Sequence, residues 1–431
     1  MKEDLFDIAR RFCRRPPKGC DFISIDLSES RVDSIEMQDN DIDLFNSSDH
    51  KRAIIKVAIG KKIGIIETNI LDEQAIARAI RVARNTKPLE YLYGFPSQGR
   101  YITQKNFDRK IVSMSTDDFA KMAKDCISYS TDKKTTLSQG AVSSMRSKFG
   151  IFNSNGLDTQ ASATEFSVYV SCIIKSDGKV SSYYDSQDDH FLFDPKSLCE
   201  NTKKTAHDFL SPQTLRQKEK DLPIIITPRA ASSLLNSAFL PNFDGKNKEK
   251  WKSIFCGKEN EELLSDNLSI FDDGTLKGGM NSTVFDSEGT PRSRTTLIDK
   301  GILKGFIYDH NTALHAKTRP TGNATSSGMG FSNVILRCKK KHSYVSAKDA
   351  LVIDTLIGAH TSDPLTTNFS VKAEQIYLLK NGQLIPKEGT MFAGKMLDLF
   401  SSIESIGEEI EQRDCIYTGP ILIKPGCYKI L

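Results

Sequence analysis

Few places in this 431-residue chain put chemically capable side chains at a useful spacing. The densest run of hard metal ligands is Asp185-Ser186-Gln187-Asp188-Asp189-His190. It lacks the central glycine and terminal glutamate of an EF-hand loop, so it reads as a solvated loop. His310 and His315 stand five apart in DHNTALH, an interval that points them to different faces of a regular α-helix, and HExxH is absent. Ala393-Gly394-Lys395 does not complete a phosphate loop, and no GxSxG occurs. RCKKKH, Arg337 to His342, reads as a solvated turn between two strands. One segment is notable for the opposite reason. LPIIITPRAASSLLNSAFLPNF, residues 222–243, has a buried-looking strand, a proline and a helical stretch, the build of an active-site floor. It carries no histidine, cysteine or carboxylate, and the residues alone identify no enzyme.

Whatever chemistry exists must be positioned by an ordinary globular chain, 38% hydrophobic and 26% charged, too long for one hydrophobic core. Its net charge of +4 is far from the concentrated basic field of a nucleic-acid binder, so nucleic acid is not implied. No stretch approaches a membrane span and the N-terminus lacks a signal-peptide core, which predicts a cytoplasmic protein with no membrane partner. Nine scattered cysteines without a CxxC predict free thiols in a reducing compartment.

The pattern predicts an α+β fold in three segments: a subdomain over 1–100, a second over 101–218 and a β-rich domain over 219–431. In the first, the runs DFISIDLS, VDSIEMQ, DIDLF, AIIKVAI and KIGIIET predict an antiparallel meander of short strands. It leads into a helix on which Ile76, Ala79, Ile80 and Ala83 form the apolar stripe. The second holds a helix with Phe119, Met122, Ala123, Cys126 and Ile127 on one face, an Asn155-Gly156 hairpin turn, a strand alternating from Phe166 to Ile174, and a helix opened by Asp194-Pro195. In the third, LIDKGILKGFI and IYLLKNGQLI each predict a hairpin closed by a two-residue turn.

The stretch Phe285 to Ser327 contains F-D-x-E-G-x-P, T-x-L-I-x-x-G-x-L-K-G, Y-D-x-x-T-A and P-T-G-N-A. In these it resembles the TldD/PmbA (TldE) family, historically labelled modulators of DNA gyrase. The block GAHTSDPLTTNFSVKAEQIYLLKNGQLIPKEGTMFAGKMLDLFSSIESIG resembles a second family segment. Asp363-Pro364 and Thr366-Thr367-Asn368-Phe369-Ser370 depart from it in detail. The resemblance implies one of two branches. TldD-like members are zinc peptidases with an HExxxH helix after a strand and a proline, and a cysteine near the C-terminus. Laid on this chain, that motif falls on Asn236 to Pro241: Asn236 and Pro241 stand at the histidine positions and Ser237 at the general-base position. Neither an amide nor a proline replaces imidazole at zinc, and a hydroxyl does not take the proton a carboxylate takes. The family's terminal cysteine precedes Gly-Lys, whereas Cys415 precedes Ile-Tyr and Cys427 precedes Tyr-Lys.

The resemblance therefore implies a PmbA/TldE-like subunit without a cofactor of its own, pairing with a TldD-like zinc subunit or with itself around a peptide substrate. The rival readings are a homodimeric peptide-binding protein without proteolysis and a divergent hydrolase. Candidate peptide-binding or interface residues are Thr321, Gly322 and Asn323 and, with them, Phe331 and Asn333 in the stretch to Leu336, both stretches expected to be sheet edges, together with His360, Thr361, Asn368 and Phe369. Met391, Phe392, Met396, Leu399 and Phe400 are expected to offer an apolar dimer surface.

Overall fold

The computed structural model describes residues 4–342 and 349–431. The chain forms an α+β fold and divides into two compact units, drawn differently from the three segments above. Unit 1 contains residues 1–207, 282–292 and 309–330, and unit 2 contains 208–281, 293–308 and 331–431. Two excursions of the C-terminal sequence thus complete the N-terminal unit. Among the described residues no helix is long and apolar enough to cross a membrane.

Unit 1 is built on one six-stranded antiparallel sheet in the order β3-β2-β1-β4-β5-β6, formed by β1 (Phe22–Gln38), β2 (Asp41–Ile59), β3 (Lys62–Thr68), β4 (Thr135–Asn153), β5 (Asp158–Ser176) and β6 (Lys179–Asp189). The sheet runs across residue 100. DFISIDLS and VDSIEMQ, expected as separate strands, are one strand of 17 residues, because the polar stretch between them is not a turn. The metal-ligand run from Asp185 is likewise not a loop: Asp185 to Asp189 lie in β6, and His190 is buried with Nδ1 2.8 Å from the Thr164 carbonyl.

Alternation along β1 assigns its odd positions to the helix-covered face. Ile23, Ile25 and Leu27 enter one core with α1 (Leu5–Arg14) and α2 (Glu73–Asn85). Ile35 and Met37 enter a second, formed with Ile111 of α3 (Arg109–Val112), Phe119, Ala123 and Cys126 of α4 (Thr116–Ser130), and Leu198 and Cys199 of α5 (Lys196–Asp208). The helices begin where their side chains cap them: Asp72 accepts from Ala75 N, and Ser115 and Asp118 form a capping box. The first excursion packs Phe285 edge-on against Tyr101 and Phe149. Buried Asp286 then accepts from the backbone N–H of Glu288, Thr290 and Ala324, tying one excursion to the other.

Among the described residues unit 2 holds three sheets. The seven-stranded one runs Lys341–His342, Ile403–Gly407, Ile421–Ile423, β7 (Ile224–Ile226), Ala350–Ile353, Ile376–Lys380, Gln383–Lys387. The six-stranded one runs Ile302–Leu303, Arg294–Asp299, Leu268–Asp273, Val334–Cys338, Ile416–Thr418, Glu411–Arg413. The four-stranded one runs Leu356–Ile357, Asn368–Ala373, Thr390–Lys395, Tyr428–Ile430. Both expected hairpins form, with Lys300-Gly301 and Asn381-Gly382 all at positive φ as a two-residue turn demands. The expected sheet edge from Phe331 to Leu336 is corrected. Val334–Cys338 is an interior strand, paired along its length with Leu268–Asp273 and at Val334 and Ile335 also with Ile416–Thr418, so these two residues offer no free backbone edge. The expected apolar dimer surface is corrected as well: Phe392, Met396, Leu399 and Phe400 are all buried within the chain, and of that group only Met391 is exposed.

Candidate functional site

The site is assembled on the segment that looked like an empty floor. Three successive isoleucines fit β7 because it is a central strand, hydrogen-bonded to Ala350–Ile353 on one side and Ile421–Ile423 on the other. Thr227 then caps α6 (Pro228–Leu234) by accepting from Ala230 N, and Pro228 occupies the first helical position, where a missing N–H costs nothing. After Leu234 the helix widens into a π-turn over Leu235–Phe239, closed by Leu240 N–H to the Leu235 carbonyl, and tightens to a 3-10 turn over Leu240–Phe243. Pro241 lies just past this change, and its ring would clash with the Ser237 carbonyl in a regular α-helix. The π-turn alters the geometry expected from sequence. The widened turn and the tight one after it leave positions 236, 237 and 241 as the residues of this stretch that reach solvent.

These positions form the helix's open face. Ala231, Ser232, Leu234, Leu235, Ala238, Phe239 and Leu240 are buried, whereas Asn236 is exposed and Ser237 and Pro241 are half-buried. Phe239 anchors the helix from below, with ring centroids 4.7 Å from Phe400, 5.3 Å from Phe243 and 5.8 Å from Phe255.

One continuous network crosses the open face. Ser232 Oγ donates to Asp414 Oδ2 at 2.6 Å, Asn236 Nδ2 donates to Ser232 Oγ at 3.2 Å, and Cys415 Sγ donates to Asn236 Oδ1 at 3.4 Å. Sequence reasoning set Cys415 aside because of the residues after it. The fold nevertheless brings it to Asn236, and no local signal in the sequence could have shown that. Burial pushes the Cys415 thiol up to about 12, with Asp272 and Asp414 adding repulsion. The donor set does not fit zinc. It offers one carboxylate, Asp414, and one thiol committed to an amide oxygen, beside an amide, a hydroxyl and a proline ring, and among the described residues no group of three or more His, Cys, Asp or Glu that could hold a metal gathers here, where a zinc site needs at least three such ligands. Ser232 is buried with its hydroxyl bonded to Asp414, and among the described residues no imidazole joins the network, so no serine–histidine pair forms here.

The 3-10 turn Ala359–Thr361 packs against α6 and the π-turn, so exposed His360 and Thr361 lie in this neighbourhood. Asn242 Nδ2 donates to the Pro364 carbonyl at 2.8 Å and fastens the following loop. Glu411–Arg413, an outer strand of the six-stranded sheet, also packs beside α6. The remaining candidates play structural parts. Asn333 is fully buried, donating to the Asp273 carbonyl and accepting from Asn281 N. Asn368 is exposed on its strand, and Phe369 is buried against Phe392. Thr321, Gly322 and Asn323 belong to unit 1. Gly322 has φ +78°, and a Cβ there would sit 2.5 Å from the Pro291 carbonyl oxygen, so only glycine fits. His310 and His315 also lie in unit 1 with separate tasks: His310 N–H donates to Glu288, and the His315 ring stacks on Tyr91 at 4.2 Å.

A central strand, a capped helix with a π-turn, and a cysteine delivered from a C-terminal hairpin make up the site. Two family models match the chain. That described as the PmbA/TldA metallopeptidase C-terminal domain matches residues 219–425, and that of the central domain matches 109–210. The chain belongs to the PmbA/TldD family. It is 27% identical over 400 residues to an uncharacterized protein of Methanocaldococcus jannaschii, covering 91% of this chain and 92% of that one. It is 27% identical over 310 residues to the protein named metalloprotease PmbA homolog from Buchnera aphidicola subsp. Baizongia pistaciae, covering 68% and 66%. The crystal structure of TldE from Thermococcus kodakarensis superposes with a TM-score of 0.91 at 22% identity, over 98% of this chain and 100% of that one, a likeness of fold.

Proposed function

We propose that this chain is the non-catalytic, PmbA/TldE-like subunit of a two-chain peptidase that encloses unfolded or leader-type peptides. In this reading zinc is held by a TldD-like partner carrying HExxxH. The observation that carries it is the open face of the site helix, where Asn236, Ser237 and Pro241 stand at the ligand and general-base positions and the adjoining thiol is held protonated. The nine cysteines are all free thiols, which supports a cytoplasmic location. Peptide would add its backbone to Glu411–Arg413, the outer strand beside the site helix, a mode that makes few demands on sequence.

The test is co-purification with an HExxxH-bearing homologue from the same cell, followed by digestion of an unfolded peptide by each chain alone and by the mixture. This chain alone is expected to be inactive and to hold no stoichiometric zinc, and the mixture to be active. Zinc at one per chain, or digestion by this chain alone, would overturn the proposal. Gln412→Pro should weaken peptide capture by the pair without separating its subunits, and unchanged capture would remove the strand-addition element.

A further inference from the structure

Between the two helical layers of unit 1, the sheet carries a charged gap that no packing requirement explains. The cores end at Leu27 on one side and begin at Ile35 on the other, and the three intervening odd positions of β1 are Glu29, Arg31 and Asp33. Strand register extends this into cross-strand rows on the same face. Lys51, Glu29 and Lys148 form one row over β2, β1 and β4, and Asp49, Arg31 and Arg146 form the next. A cavity of about 390 Å³ lies over these rows, within the range of small-molecule pockets, and Phe107 and Val112 supply an apolar wall. Its lining has four permanent cations, Arg31, Lys51, Arg146 and Lys148, against two carboxylates, Glu29 and Asp49.

Most of these charges are already engaged. Lys51 pairs with Glu29 at 2.9 Å, and the Lys148 ammonium sits 3.9 Å from the centre of the Phe6 ring. The two arginines are different. Arg31 and Arg146 are directly opposed partners on antiparallel strands, a like-charge pairing that destabilises a sheet. Arg31 engages Asp33 through Nε, at 3.2 Å to both oxygens, and among the described residues its terminal nitrogens donate no hydrogen bond. Among the described residues nothing accepts from Arg146 or pairs with it. Two planar donor forks on directly paired residues of neighbouring strands, both lining one open cavity, are suited to share one anion and thereby offset their like-charge pairing.

We propose that this gap is a binding site for a small anion bearing carboxylate or phosphate groups, gripped between Arg31 and Arg146 with Lys51 and Lys148 at its sides. The site lies wholly within unit 1, so it stands independently of the peptidase reading, which rests on unit 2.

The test is isothermal titration of the full chain in a low-salt chloride buffer with citrate and, separately, inorganic pyrophosphate. At least one should bind at a single site. Binding of citrate alone identifies a carboxylate ligand, of pyrophosphate alone a phosphate ligand, and of both their shared chemistry. Arg146→Gln and Arg31→Gln should each weaken binding about tenfold or more, the loss expected for hydrogen bonds between ionised partners. Lys380→Gln, an exposed change in unit 2, should leave it unaltered. Circular dichroism confirms that each variant is folded. Absence of binding by both probes at millimolar concentration, or unweakened binding by folded Arg146→Gln and Arg31→Gln, overturns the proposal.

Discussion

Phe239→Ala tests whether the site helix is held in place from beneath. The side chain is fully buried and meets three rings, Phe243, Phe255 and Phe400, within 5.8 Å. Burying a phenylalanine removes roughly 150–250 Å² from water, about 4–6 kcal/mol at 25 cal/mol per Å², an upper bound because the unfolded chain already hides part of that surface. Truncation series give about 3–5 kcal/mol, the spread reflecting how far neighbours close the cavity. Here collapse is limited. The neighbouring rings come from three different segments, the 3-10 turn, the loop at 255 and the helix Met396–Ser401. A loss of about 4 kcal/mol is therefore expected. Hydrogen exchange read by mass spectrometry localises it. Peptides spanning β7 and α6 should exchange about a thousandfold faster in Phe239→Ala, while β4 and β5 of unit 1 stay within a few-fold of wild type. An acceleration of less than about tenfold in β7 and α6, or an equal one in β4 and β5, would refute the claim that this aromatic cluster positions the floor.

Lys387 and Glu219 are both buried and paired at 3.1 Å, so Lys387→Met should cost about 3–5 kcal/mol in urea denaturation and Lys387→Met with Glu219→Gln much less; equal losses would contradict this. Burial pushes Glu288 up to about 7, with Asp286 and Asp309 adding repulsion and the His310 N–H and Lys56 opposing it. The folded protein then keeps this proton to higher pH than the unfolded chain, unfolding releases it, and stability falls between about pH 4.5 and 7 by about 3 kcal/mol and is level above. Glu288→Gln should remove that slope, so parallel stability–pH curves for variant and wild type would refute it. Cys415 should alkylate about a thousandfold more slowly than glutathione at pH 8, and its rate should still be climbing at pH 10, when mapped by peptide mass spectrometry. A plateau below pH 10 would show that the thiol is not held protonated.

Much of this protein was readable locally. The amphipathic helices, the Asn-Gly and Lys-Gly hairpins and the strand–proline–helix order around Pro228 each depend on residues within a few positions, and the structure has them where the sequence places them. That Asn236, Ser237 and Pro241 are neither imidazole nor carboxylate is equally plain, because residue identity is read directly from the sequence.

Other features depend on what lies across the fold. Alternation in β1 shows two apolar runs with polar residues between them, and only the strand pairing shows that the polar stretch is a gap between cores rather than a turn. The F-D-x-E-G-x-P, Y-D-x-x-T-A and P-T-G-N-A elements form one continuous signature in sequence. The fold instead sends residues 282–292 and 309–330 into unit 1 while the strands between them remain in unit 2. Met396, Leu399 and Phe400 have the composition of an interface, and composition does not distinguish a partner's surface from the chain's own core, where they lie. Cys415 meets Asn236 across 179 positions, a contact set by the placing of a hairpin against a helix after both have formed. The sequence by itself determined the local elements and which side chains the site helix carries. Tertiary structure decided which distant residues share the site, because such a contact is set by how whole elements pack and no single short segment encodes that packing.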